Sequence, residues 1–129
     1  NPSRVHGSKA FGPKPHKYDK KVNKKVRQLA RRSVLSQKVS ENNFIVIDNI
    51  LPETPKTSEL FGLLKNFNLT EKKVTVLTDT MEENLYLGSR NIKNICVVPV
   101  QSASTYDLLD CQMILANEAS VEILNKQLS

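Results

Sequence analysis

The sequence predicts an α/β fold: a mainly parallel four-stranded sheet with covering helices, preceded by an extended basic arm. Three observations carry this. After Ser40, short β-branched apolar runs alternate four times with segments of helical periodicity, the rhythm of parallel strands joined by helical crossovers. Before that point the charge is lopsided. Residues 1–40 hold 12 Lys and Arg against one acid, Asp19, whereas residues 41–129 hold 7 against 12 acids, so the net charge of +6 joins a segment of +11 to one of −5. Finally, 129 residues, 39% of them hydrophobic, suffice for a single domain with a modest core.

Residues 1–19 read as the arm. Pro13 and Pro15 bias the residues before them away from helix, and too few apolar residues are present to pack. Arg4, Lys9, Lys14 and Lys17 charge this segment, and His6, Phe11, His16 and Tyr18 supply flat rings able to stack on bases or ribose. For Phe11 a plug into the protein's own surface is the equal alternative. Residues 20–129 read as the α/β domain, opening with a basic amphipathic helix. "KKVNKKVRQLARRS", Lys20 to Ser33, has seven Lys or Arg among fourteen residues and no acid. Val22, Val26, Leu29, Ala30 and Ser33 share one side at helical spacing and are expected to face the core. Lys20, Lys24, Arg27, Arg31 and Lys38 fall opposite, within an arc roughly 60° wide, flanked by Lys21, Lys25 and Arg32. Solvated helix faces usually mix signs. A stripe without pairing acids is tolerable where phosphates neutralise it, so nucleic acid is the expected partner.

The remaining elements follow in order. "NFIVIDN" predicts a buried strand over about 44–49. "TPKTSELFGLLKNFNL" predicts a helix with Thr54 as N-cap, Pro55 at its first position, and Leu60, Leu63, Leu64 and Phe67 as core stripe. "KKVTVLTD" is a second strand. "TMEENLYLGSRN" has Thr80 and Glu83 at capping-box spacing. "NICVVPV" is a third strand, and its Pro99 marks an edge or a strand end. Ser104 caps a short helix over "STYDLLD". "CQMILAN" is the fourth strand and "EASVEILNKQLS" the closing helix.

Several function classes are disfavoured. No apolar run nears the roughly 18–20 residues that span a bilayer, so no membrane is expected as partner. Asp48 and Asp79 follow strands, where α/β folds bind ligands. No glycine-rich phosphate loop accompanies them, so both read as caps of turns and helix starts. The two histidines lie in the arm without a neighbouring cysteine, and no metal is expected. Cys96 and Cys111 form no C-x-x-C pair, which favours a reducing compartment, and both read as small core residues. Tyr86 and Arg90 are four apart. Arg90 either reaches a phosphate or, with Asn91, caps the carbonyls at a helix end.

"AFGPKPHKYDKKVNKKVRQLARRSVLSQK" resembles the bacterial-type ribosomal protein L-four family of the large subunit, in which an F-G-P-[KR]-P segment precedes a basic helix of the type N-[KR]-[KR]-x-[KR]-x-L-A-x-[KR]-S. Here these are Phe11 to Pro15, then Asn23, Lys24, Lys25, Arg27, Leu29, Ala30, Arg32 and Ser33. "PETPKTSEL", "ENLYLGSRNI" and "STYDLL" are similar to three further segments of that family. The resemblance implies a non-enzymatic constituent of the large ribosomal subunit, without cofactor, small-molecule substrate or homo-oligomer. Its partners would be large-subunit ribosomal RNA and neighbouring ribosomal proteins, with a long loop reaching towards the peptide exit tunnel. The location implied is the cytoplasmic ribosome, or an organellar one. The family carries roughly another 70–80 residues upstream, so residues 1–10 are expected to be the returning limb of that loop. The family's glycine run before F-G-P is reduced here to Gly7 within "VHGSKA". The alternatives are a free messenger-RNA-binding regulator and a nucleotide-binding enzyme centred on Asp48 and Asp79. Reversal of Lys24, Arg27 and Arg31 to Glu is expected to abolish RNA association and spare the fold.

Overall fold

The computed structural model describes residues 3–7, 9–48 and 50–128. Readings that fall on Asn1, Pro2, Ser8, Asn49 and Ser129 lie outside the described residues. Five helices and four strands alternate along the described chain: α1 (Lys24–Ser40), β1 (Phe44–Ile47), α2 (Thr57–Asn66), β2 (Val74–Thr78), α3 (Glu83–Ser89), β3 (Ile95–Pro99), α4 (Thr105–Asp110), β4 (Met113–Asn117) and α5 (Glu118–Leu128). The strands form one parallel sheet in the order β1-β4-β2-β3, which is the sheet the alternating pattern predicts.

Strand position explains strand composition. β2 and β4 are central and covered on both faces, so "VTVLT" and "MILAN" are buried along nearly their whole length. β1 and β3 are edges, which leaves Val46 and Cys96 exposed. Cys96 is thus not the core residue expected of it, whereas Cys111 is buried. Pro99, which cannot donate to a ladder, ends the edge strand β3 as its chemistry requires.

Side chains of the two sheet faces feed two separate cores. On one face Val74, Val76, Met113 and Leu115 pack with Leu60 and Leu64 of α2 and Leu85 of α3. On the other, Leu77, Ile114 and Ala116 pack with Leu35 of α1, Leu108 of α4 and Leu124 of α5. The result is a helix–sheet–helix sandwich.

Helix starts show where local signals hold. Ser104 caps α4 in a full capping box: its hydroxyl accepts from the Asp107 N–H, and the Asp107 carboxylate accepts from the Ser104 N–H at 2.8 Å. α2 starts later than expected, with Lys56 at the N-cap. Thr54 instead donates from its N–H and hydroxyl to the carboxylate of Glu59, at 3.1 and 2.5 Å, so it ties the preceding loop to the first turn. α3 likewise starts after Glu82 rather than Thr80, without a side-chain cap. Leu63 and Phe67, read as core, are 38% and 41% exposed, because the sheet takes only the Leu60–Leu64 side of α2.

Candidate nucleic-acid interface

α1 carries six cations, half of them at its N-terminal end. Lys24, Lys25 and Arg27 occupy its first turns, Lys20 and Lys21 just precede it, and no acid lies in the first turn. The N-terminus of a helix is the positive end of its dipole, so cations there are unfavourable. Asn23 at the N-cap provides no side-chain hydrogen bond to relieve this. None of Lys20, Lys21, Lys24, Lys25 and Arg27 forms an ion pair with a carboxylate among the described residues.

The helix is turned the opposite way to the sequence-based expectation. Val22, Val26 and Leu29, read as core-facing, are 46%, 54% and 66% exposed, and Ala30 and Ser33 are exposed with them. The inward side is built from Gln28, Arg31, Val34, Leu35 and Lys38. The cause lies in what α1 packs against. Only its C-terminal half meets apolar core, through Leu35 with Val34 beside it. The rest crosses backbone carbonyls that need donors, and long cationic side chains can bury their stems while delivering N–H groups.

Two members of the expected RNA-facing stripe are therefore spent inside the protein. Arg31, half-buried, donates to the Ala103 carbonyl and, at 3.0 Å, to Gln127 Oε1. Gln28 beside it donates to the Gln127 carbonyl at 3.1 Å. Lys38 is 7% exposed, and its Nζ donates to the Cys111 carbonyl at 2.5 Å. These bonds pin α1 to the 102–105 loop, the end of α5 and the turn before β4. The stripe is thus divided by its packing: Lys38 is almost wholly buried with its ammonium on a backbone carbonyl, and Arg31 lies at the floor of a groove.

In the arm, Arg4, His6, Lys9, Phe11, Lys14, His16, Lys17 and Tyr18 are all exposed, and residues 12–23 have no regular secondary structure. Phe11 is fully exposed, so it plugs no surface of the described chain. It and His6 have positive φ, 53° and 61°, a conformation that β-carbon-bearing residues adopt only at some cost. The His16 and Tyr18 rings sit 4.3 Å apart with planes tilted by 49°. Arg32 is exposed on α1. Arg90 lies exposed with its guanidinium 5.9 Å from the centre of the Tyr86 ring, a cation–π pairing.

Of the two aspartates of the enzymatic alternative, Asp48 is exposed and Asp79 has structural work. The Asp79 carboxylate accepts from Asn117 Nδ2 at 3.2 Å. That bond, helped by the Thr80 N–H, holds its pKa below the usual carboxylate value. Asn117 Oδ1 accepts in turn from the Ser120 N–H at 2.9 Å. The fully buried Ser120 hydroxyl lies 3.1 Å from the Leu77 carbonyl. The network joins the ends of β2 and β4 to the start of α5. Among the described residues no group of three or more His, Cys, Asp or Glu side chains is placed to hold a metal ion, and no helix is long and apolar enough to cross a membrane.

One cation escaped sequence reading. Lys126 stands in the acidic part of the chain, where no local pattern marks it. The last turn of α5 brings it to the groove beside Lys24, Arg27 and Arg31.

Comparison with known proteins agrees with the basic segments and the fold. The profile of the "Ribosomal protein L4/L1 family" matches residues 1–127. The chain is 42% identical over 123 residues to the large ribosomal subunit protein uL4 of Prosthecochloris aestuarii, covering 95% of this chain and 59% of that protein. It is 38% identical over 128 residues to the uL4 of Chloroherpeton thalassium, covering 99% and 61%. It is 38% identical over 129 residues to the uL4 of Halothermothrix orenii, covering 100% and 62%. The chain thus spans about three fifths of the length of the curated relatives it matches. With a profile match reaching from its first residue to within two of its last, the chain belongs to the ribosomal protein L4/L1 family.

Proposed function

We propose that this chain is a structural, non-catalytic constituent of the large ribosomal subunit that binds large-subunit ribosomal RNA. The observation that carries the reading is the run of cations at the N-terminal end of α1, Lys20, Lys21, Lys24, Lys25 and Arg27, set against the helix dipole with no acid in the first turn and no ion pair to them among the described residues. A polyanion relieves both costs together. Residues 1–19 act as an arm whose cations and exposed rings line an RNA crevice and order on contact. Residues 20–129 form the domain that presents it. Arg32 and Arg90 add peripheral phosphate contacts. Recognition is mainly of RNA shape and backbone. The names of the relatives support this place of action, as does the family's implied approach to the exit tunnel and to neighbouring ribosomal proteins. The ribosome concerned is that of the cytoplasm or of an organelle.

Sedimentation in high salt tests the reading. The chain is expected to travel with large ribosomal subunits after a wash that strips loosely held basic proteins. Release into the free fraction, bound to messenger RNA alone, would replace this reading with that of a free regulator.

A further inference from the structure

An open groove of about 880 Å³ runs between α1, the 102–105 loop and the last turn of α5. Four cations line it: Lys24, Arg27 and Arg31 from α1, and Lys126 from α5, about a hundred residues away in sequence. No Asp or Glu is among the described residues that line it. The hydroxyl-bearing residues Ser102 and Thr105 form part of its wall. Lys126 is exposed and makes no ion pair among the described residues, although Glu122 stands one helical turn behind it, the usual spacing for such a pair. Asp107, the acid closest along the chain to this wall, is spent in the Ser104 capping box.

The groove has a fixed floor. Arg31 is clamped by Gln127 and the Ala103 carbonyl, and Gln28 holds the Gln127 carbonyl. A guanidinium has five N–H donors, and these contacts account for two of them. A clamped, partly satisfied arginine with exposed lysines on both rims suits a chain of phosphates better than a single enclosed ligand. The groove is open along its length and far larger than one phosphate.

We propose that this groove is a second RNA-binding track, which seats a phosphodiester strand between α1 and the end of α5, separate from the arm. The proposal rests on the RNA-binding reading above and extends it to Lys126, which no stretch of basic sequence contains. Lys126 is the reporter, because it lies outside both the arm and the basic run of α1.

The test compares four chains for affinity to large-subunit ribosomal RNA over a salt series: the unaltered protein, Lys126→Glu, Lys14→Ala with Lys17→Ala in the arm, and all three changes combined. Lys126→Glu is expected to weaken binding about tenfold and to shrink the salt slope by roughly 0.7–0.9, the loss of one phosphate contact. The arm variant is expected to weaken binding independently, so that the combined variant shows both losses. Acetylation of the unaltered protein provides a readout that no folding defect can mimic. RNA is expected to protect Lys126 from the reagent, and millimolar inorganic phosphate is not. If Lys126→Glu binds like the unaltered protein while the arm variant is weakened, the groove is not a track and RNA binding stands. Equal protection of Lys126 by inorganic phosphate marks a general anion site and overturns the proposal. If the unaltered protein binds no RNA, both readings fall together.

Discussion

Lys24→Glu combined with Arg27→Glu is expected to lower affinity for large-subunit ribosomal RNA by about a hundredfold, on the basis of roughly tenfold per lost phosphate contact, and to leave the fold intact. Both side chains are exposed, and neither makes a side-chain hydrogen bond or ion pair among the described residues. Surface changes of this kind usually alter stability by no more than about 0.5 kcal/mol. Acids in the first turn of α1 even suit the helix dipole, so the melting temperature should hold or rise slightly. Arg31→Glu should behave differently, against the expectation from sequence that all three reversals spare the fold. It breaks the bonds to Gln127 and Ala103 and sets a carboxylate facing a carbonyl. Loss of RNA affinity should then come with a lower melting temperature. Paired melting and filter-binding measurements on the two variants separate the exposed cations from the clamping one.

Lys38→Glu is expected to be the most destabilising single change in α1. The side chain is almost wholly buried, and its ammonium holds the Cys111 carbonyl just before β4. A carboxylate there would be buried, unpaired and aimed at a carbonyl, a cost of about 3–5 kcal/mol. Lys38→Met keeps the stem packed and loses only the donor, leaving the carbonyl unsatisfied at about 1–3 kcal/mol. Urea unfolding should therefore order the three proteins Lys, Met, Glu in falling midpoint with similar slopes. The folded fraction of Lys38→Met should bind RNA with unchanged affinity, since the Lys38 side chain is almost wholly buried and its ammonium is spent on the Cys111 carbonyl. A Lys38→Met protein of full stability and reduced RNA affinity would return this residue to the RNA-facing stripe.

The orientation of α1 shows what the sequence leaves open. Its two faces were legible, because apolar and cationic residues separate cleanly at helical spacing. Which face turns inward was not, because that depends on partners 72, 73 and 96 residues away: the carbonyls of Ala103 and Cys111 and the side chain of Gln127. Where an inner surface is lined by orphan carbonyls, donors on long stems fit better than valines. The strands were legible for the opposite reason. Segments such as "VTVLT" and "MILAN" are buried on both sides and need no partner-specific chemistry to be recognised. Ser104 was legible as a cap because its partner, Asp107, lies in the same turn. Thr54 and Thr80 misled because good N-cap residues also serve loops: Thr54 binds Glu59 from outside the helix. Of the candidate interface, the arm and the basic run of α1 could be read from charge alone. Lys126 could not, since only the packing of α5 beside α1 brings it near the others.

The salt dependence of binding to large-subunit ribosomal RNA tests the central claim most directly. With about five cations of the arm and α1 on phosphates, the logarithm of the association constant should fall linearly with the logarithm of salt concentration, at a slope of roughly −4. A slope near zero would mean that the unanswered cations of α1 release no counterions on binding, and would contradict the account.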